Sequence, residues 1–198
     1  MPRYCTLDCM DNNTIHTIKN LFITGERDAG KSTAIEKALA LHKPSITGFV
    51  TRPYEINGHV AGHYIHSLSD QTPLEQNDKP INIIYPPGKS IAIEPSFEIF
   101  GVAYLRQAMR DNRPIIMDEL GILERHVRLF TQTVFQCLDG PQPVLGALRL
   151  CQGTWLDQIK CRRDTKVLTV TLQNREEILQ TVLQFVQRWG TEGAPVRT

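Results

Sequence analysis

Gly25, Gly30, Lys31, Ser32 and Thr33 stand in the spacing Gly-x-x-x-x-Gly-Lys-Ser-Thr within LFITGERDAGKST, residues 21–33. Each residue type has a task in holding a chain of phosphates. Glycines let the backbone curl tightly, so that successive N–H groups point at oxyanions. A helix beginning at Lys31 adds its positive N-terminal end. The Lys31 ammonium has the reach for β- and γ-phosphates. The Ser32 hydroxyl can ligate Mg²⁺, and Thr33 can donate to the α-phosphate. Glu26, Arg27, Asp28 and Ala29 fill the variable positions, where the backbone binds while the side chain faces solvent. Residues 25–33 are therefore all candidate nucleotide contacts. Glu26 and Asp28 oppose a polyphosphate by charge, and Arg27 between them partly offsets it. The expected result is a modest loss of affinity or a strong dependence on Mg²⁺.

A phosphate loop needs a second group across from it, an acid at the end of another buried strand. IIMDE, 115–119, supplies one. Asp118 stands where a carboxylate can support the metal, and Glu119 where one can orient or deprotonate a water. The competing reading of these acids is a solvated strand end. Lys31, Asp118 and Glu119 are the candidate catalytic residues, and Ser32 and Asp118 the candidate metal ligands.

The elements that must position them follow from periodicity. Residues 20–24 read as a short buried strand and Lys31 to about His42 as a helix ended by Pro44. ITGFVTR (46–52) and GHVAGHYIHS (58–67) read as a hairpin turned at Asn57-Gly58. Residues 68–90 form a polar, proline-bearing insertion with room for short strands. Helices are expected over 96–111, 124–139, 154–161 and 174–189, and strands over 114–119, 143–150 and 166–172. Continuous apolar strands alternating with helices predict an α/β three-layer sandwich. Its central sheet should be mostly parallel, with the hairpin at one edge. A single domain over 14–189 is expected, flanked by a loose arm (1–13) and a mobile tail (190–198).

The whole chain narrows the function class. It has 198 residues, 41% hydrophobic and 22% charged, with a net charge of +1. That balance gives no reason to expect nucleic acid or an anionic membrane as partner. No apolar run approaches a transmembrane span, and the start lacks a secretory core, so a cytoplasmic protein is expected. Five cysteines at scattered spacing make a poor disulfide framework. Cys5 and Cys9 hint at a metal pair but have no second pair at zinc spacing. Cys137 reads as core.

With both motifs in place, the chain resembles the small nucleoside-triphosphatases that include the cancer-related nucleoside-triphosphatase. GFVTRPYEINGHVAGHYI is similar to that family's glycine-aromatic-x-threonine strand, hairpin and second glycine-aromatic strand. IIMDELGILE is similar to its aspartate-glutamate segment. PVLGAL resembles the next strand, and LTVTLQNREEIL the closing strand, Asn-Arg pair and helix. The likeness covers roughly residues 20–185. It implies a P-loop NTPase fold with an extra strand between the two phosphate-site strands. It also implies hydrolysis of nucleoside triphosphates to diphosphates with loose base preference. Two departures stand out: Asp28 where the family commonly has a further glycine, and Leu123 where it has methionine.

Secondary candidates remain. Asn174 and Arg175 follow the last strand, where bases dock in such folds; the alternative is a helix N-cap and a solvated arginine. Arg52 is either an internal arginine for the transition state or a surface arginine. Glu124 reads as structural, with Arg128 as a possible partner. His59 and His63 share a strand face but lie about 13 Å apart at roughly 3.3 Å per residue, and His66 faces the other way, so one ion cannot join them. A Mg²⁺-dependent nucleoside-triphosphatase is the expectation. Its rivals are a nucleoside or small-metabolite kinase, a nucleotide-gated module with a protein partner, and a GTP-dependent metallochaperone.

Overall fold

The computed structural model describes residues 18–69, 79–85 and 88–191. Strands and helices alternate as β1 (Asn20–Thr24), α1 (Lys31–His42), β2 (Thr47–Ile56), β3 (His59–Ser67), β4 (Pro80–Tyr85) and β5 (Lys89–Ala92). A short α2 (Glu94–Ser96) runs through a π-helical turn (Phe97–Gly101) into α3 (Val102–Asp111). Then come β6 (Ile115–Leu120), α4 (Arg128–Asp139), β7 (Val144–Leu148), α5 (Leu156–Lys160), β8 (Thr165–Thr169) and α6 (Arg175–Thr191).

The strands form one eight-stranded sheet in the order β5-β4-β3-β2-β6-β7-β1-β8. The run β2-β6-β7-β1-β8 is parallel, and β3, β4 and β5 extend it antiparallel. β7 separates β1 from β6, so the loop strand and the acid strand are next-nearest neighbours, as the resemblance implies. The hairpin forms with a two-residue turn. Asn57 and Gly58 both take positive φ, 52° and 76°, the twist that suits a tight hairpin. It is not the sheet edge: two strands from the polar insertion continue beyond it, and β5 takes that place.

Alternation along the strands sends side chains to two separate cores. Leu21, Ile23, Leu145, Ala147, Ile116 and Val50 pack under α1 and α6. Phe22, Phe49, Met117 and Leu148 pack under α3 and α4 on the other face. Period-2 patterning with both faces covered explains why these strands read as continuous apolar runs. Cys137 belongs to the second core, where burial pushes its thiol up to about 12.

Gly146 shows how closely the sheet is fitted. It lies level with Phe22 on one side and Met117 on the other. A Cβ there would sit 2.6 Å from both the Phe22 ring and the Met117 carbonyl oxygen. The Phe22 ring occupies the space a side chain on β7 would need.

Several boundaries differ from expectation: β2 runs on to Ile56, while β7 stops at Leu148 and β8 at Thr169. α4 begins at Arg128 rather than 124, because Glu124 folds its carboxylate back onto the Gly121 amide. α5 is shorter than its segment, beginning at Leu156. α6 runs to Thr191, two residues into the expected tail. The expected arm, the remainder of the tail, Cys5 and Cys9 lie outside the described residues. Among the described residues no helix is long and apolar enough to cross a membrane.

Candidate active site

The site forms where the C-terminal ends of β1, β6 and β2 meet the start of α1. β1 ends at Thr24, and the chain turns at Gly25 with φ 150°. A Cβ on Gly25 would stand 2.5 Å from the Val170 carbonyl oxygen, so only glycine lets the loop leave the strand there. Gly30, at φ 107°, precedes Lys31, and its carbonyl accepts the first helical bond, from the Ala34 amide at 3.0 Å. Asp28 also has positive φ, 60°, which costs an L-residue energy that glycine would not pay.

Arg175 holds this loop from outside. Its Nε donates to the Ala29 carbonyl at 2.7 Å and its Nη2 to the Asp28 carbonyl at 2.8 Å. Fixing two successive carbonyls fixes their peptide planes, and with them the direction of the amides that follow. Asn174 ties the turn before α6: its Oδ1 accepts from the Thr171 amide at 2.7 Å, and its Nδ2 donates to the Thr169 carbonyl at 3.0 Å. The carboxamide oxygen thus serves Thr171, and the Arg175 guanidinium is engaged with the loop.

Lys31 is buried. Its Nζ donates to the carbonyls of Gly25 (3.2 Å) and Glu26 (3.1 Å) and pairs with Glu119 Oε2 at 3.4 Å. Ser32 Oγ donates to Asp118 Oδ1 at 2.9 Å. Asp118 is almost wholly buried, and burial pushes its carboxyl upward while the Ser32 hydroxyl and Arg52 pull against that. Sequence-distant groups are therefore brought together: Lys31 with Glu119, and Ser32 with Asp118.

A hydroxyl and a carboxylate in contact are two hard oxygen donors. They suit a small divalent cation that keeps part of its water shell. Among the described residues no group of three or more His, Cys, Asp or Glu gathers as a metal site. His59 is exposed. His63 sits against Asn82, with 3.1 Å between its Nδ1 and Asn82 Oδ1, and burial lowers its pKa. His66 is buried and lines a cavity beside α1.

Arg52 reaches across from β2. Its Nη1 lies 3.5 Å from Asp118 Oδ2 and its Nη2 2.6 Å from Glu36 Oε1. Glu124 is buried and accepts from the Gly121 amide. Burial pushes its carboxyl up to about 7, with the Glu119 charge adding to the rise and the amide bond and Arg149 opposing it. Trp155 completes this corner by donating from Nε1 to the Gly121 carbonyl at 2.9 Å.

Two participants escaped sequence reasoning. Thr51 Oγ1 accepts the Glu119 amide at 3.2 Å and so helps fix the acid strand's end. Glu36 anchors Arg52. Its position four residues after Ser32 puts both on one side of α1, a signal available from spacing alone.

Comparison with known proteins agrees with this architecture. A family model described as NTPase matches residues 20–183. The human cancer-related nucleoside-triphosphatase is 31% identical over 188 residues, covering 85% of this chain and 97% of that protein. The nucleoside-triphosphatase THEP1 of Natranaerobius thermophilus is 26% identical, covering 86% and 98%. Among solved structures, THEP1 from Aquifex aeolicus shares the fold, with a TM-score of 0.68 at 21% identity over 85% of this chain and 99% of that one. The solution structure of a human cancer-related nucleoside triphosphatase superimposes with a TM-score of 0.67 at 27% identity, covering 86% and 98%. With a phosphate-type loop on β1, paired acids on β6 and a family match across most of its length, the chain belongs to the NTPase family.

Proposed function

We propose that this chain hydrolyses nucleoside 5′-triphosphates, ATP and GTP among them, to diphosphate and phosphate with Mg²⁺ as the divalent cation. Family membership supports the reaction class and a divalent cation in general. The observation that carries the residue assignment is the double convergence at the loop: Ser32 on Asp118 at 2.9 Å, and Lys31 on Glu119 at 3.4 Å.

The backbone of Gly25 to Thr33, with Glu26, Arg27, Asp28 and Ala29 at its variable positions, cradles the phosphates. Lys31 exchanges its loop carbonyls for β- and γ-phosphate oxygens. Ser32 and Asp118 would hold Mg²⁺, which would supply charge neutralisation on the transferring phosphoryl group when bound. Glu119 orients the attacking water and accepts its proton. As the oxygen–phosphorus bond forms, the bond from the γ-phosphorus to the bridging oxygen breaks, and the diphosphate leaves. Asn174 and Arg175 border the loop at the end of β8, where they can also meet base or ribose. The near-zero net charge of +1 supports a nucleotide rather than nucleic acid as partner, and a cytoplasmic setting fits the free thiols of the described cysteines.

Phosphate release across ATP, GTP, CTP and UTP, with and without Mg²⁺, tests the reading. Lys31→Ala should lose nucleotide binding. Glu119→Gln should bind as tightly as the parent and lose turnover by about 100-fold or more. Parental turnover in Glu119→Gln removes that residue from the mechanism. Phosphorylated nucleoside or metabolite in place of free phosphate replaces hydrolysis with a kinase reaction.

A further inference from the structure

We infer that Arg52 is a catalytic residue of the hydrolysis proposed above, its guanidinium meeting the γ-phosphate as charge builds there. The inference rests on that reading and adds to it a second cation from β2.

Three observations point the same way. First, Arg52 is next to the reacting end of the loop. It contacts Asp118 Oδ2, while the other oxygen of the same carboxylate receives the Ser32 hydroxyl, so one carboxylate separates the arginine from the start of α1. Second, beyond a bond from Nη1 to the neighbouring Thr51 carbonyl at 2.9 Å, its contacts are with carboxylates and are exchangeable. Nη2 pairs with Glu36, whose side chain is 54% exposed, and exposed pairs hold weakly. Nη1 stands 3.5 Å from Asp118, and any other use of that carboxylate oxygen releases it. Third, there is room to move. Arg52, Asp118 and Glu36 line a cavity of about 280 Å³ whose other walls include Ile35, Leu39 and Val50. Apolar walls lower the local dielectric and so strengthen the attraction between a guanidinium and a phosphate.

The charge arithmetic supports a second cation. At this cluster Lys31 faces Glu119 and Arg52 faces Asp118 and Glu36, two cations against three acids. A bound triphosphate tips that balance strongly negative. A planar guanidinium then has stronger attraction to the γ-phosphate oxygens than to a solvated glutamate.

The test uses the full chain and two measurements. The first is binding of Mg-ADP with and without fluoroaluminate, which mimics the transferring phosphoryl group. The second is phosphate release from ATP. In Arg52→Gln, ADP affinity should match the parent, the gain in affinity given by fluoroaluminate should shrink at least about tenfold, and kcat should fall at least about tenfold with KM little changed. Arg52→Lys keeps the charge and the reach to Glu36 but not the fork. It should fall between the two, and it carries the test if the glutamine variant does not fold. Parental kcat in either folded variant overturns the role. Equal loss of ADP affinity with and without fluoroaluminate also overturns it, because that marks Arg52 as a structural pin. A parent chain that binds ADP, gains nothing from fluoroaluminate and releases no phosphate brings down the proposed hydrolysis and this role together. An active parent with an unaltered Arg52→Gln brings down the role alone.

Discussion

Ser32 and Asp118 lie 86 positions apart and meet at 2.9 Å, hydroxyl to carboxylate. β7 stands between β1, whose loop leads to Ser32, and β6, which carries Asp118, so those two strands do not pair with each other. The contact depends on the loop of β1 and the end of β6 both opening at the same edge of a parallel sheet. In such sheets ligands bind outside the carboxyl ends of the strands, and this pair marks that place.

Asp28 carries a positive φ and an exposed carboxylate in the loop between β1 and α1, the proposed phosphate cradle. Asp28→Gly removes both the strain and the like charge. Affinity for Mg-ATP should rise several-fold, and the gain should shrink as salt screens the carboxylate. Stability should change by less than about 1 kcal/mol, since relief of strain is offset by the freedom glycine adds to the unfolded chain. Titration at two salt concentrations checks it, and a fall in affinity would show that the carboxylate assists binding.

Arg175 grips the carbonyls of Asp28 and Ala29 with two nitrogens. Arg175→Lys loses the fork and can hold one carbonyl well. Affinity for ADP and ATP should drop together, by about tenfold, because the loss acts through loop shape rather than on one phosphate. A loss confined to one nucleoside base would instead assign Arg175 to base recognition.

Gly146 sits against the Phe22 ring and the Met117 carbonyl. Gly146→Ala should cost about 1–3 kcal/mol by overpacking, since the obstructing atoms include backbone that cannot swing aside. Chemical denaturation measures this. Gly146→Ala combined with Phe22→Leu should recover part of the loss.

Glu124 is buried and its carboxyl is pushed up to about 7 from an ordinary value near 4.5. The folded state therefore binds this proton more tightly than the unfolded state. Its contribution to stability is fully present below about pH 4.5, declines as pH rises towards 7, and is absent above that. Glu124→Gln keeps an acceptor for the Gly121 amide without the charge. The variant should match the parent near pH 4.5 and exceed it at pH 8, by on the order of 3 kcal/mol at most. Melting curves that stay parallel from pH 5 to 8 would show that Glu124 titrates normally.

Much of this was legible in the residues. The glycines at 25 and 30 and the lysine at 31 read as a phosphate loop, and the structure does set them between strand β1 and helix α1. The Asp118-Glu119 pair at the end of an apolar run read as its complement, and the fold does bring the pair to Ser32 and Lys31. Asn57-Gly58 announced a tight turn through the positive φ that both residues adopt. The polar insertion was legible as a segment with room for short strands, but their positions were not. Ile83 and Ile91 are short-range β signals diluted among prolines and polar residues, and pairing with β3 on one side and β5 on the other makes β4 a strand.

Tertiary structure alone decided what local pattern cannot encode. Sequence determined the kinds of groups available and the element carrying each, because backbone conformation answers to neighbours a few positions away. It did not determine that Arg175 would hold the loop from 146 positions distant, that Arg52 would bridge Glu36 and Asp118, or that Glu124 would turn inward rather than pair with Arg128. Those partners follow from strand order and crossover, which the whole sheet sets at once when it buries a hydrophobic core on each of its two faces.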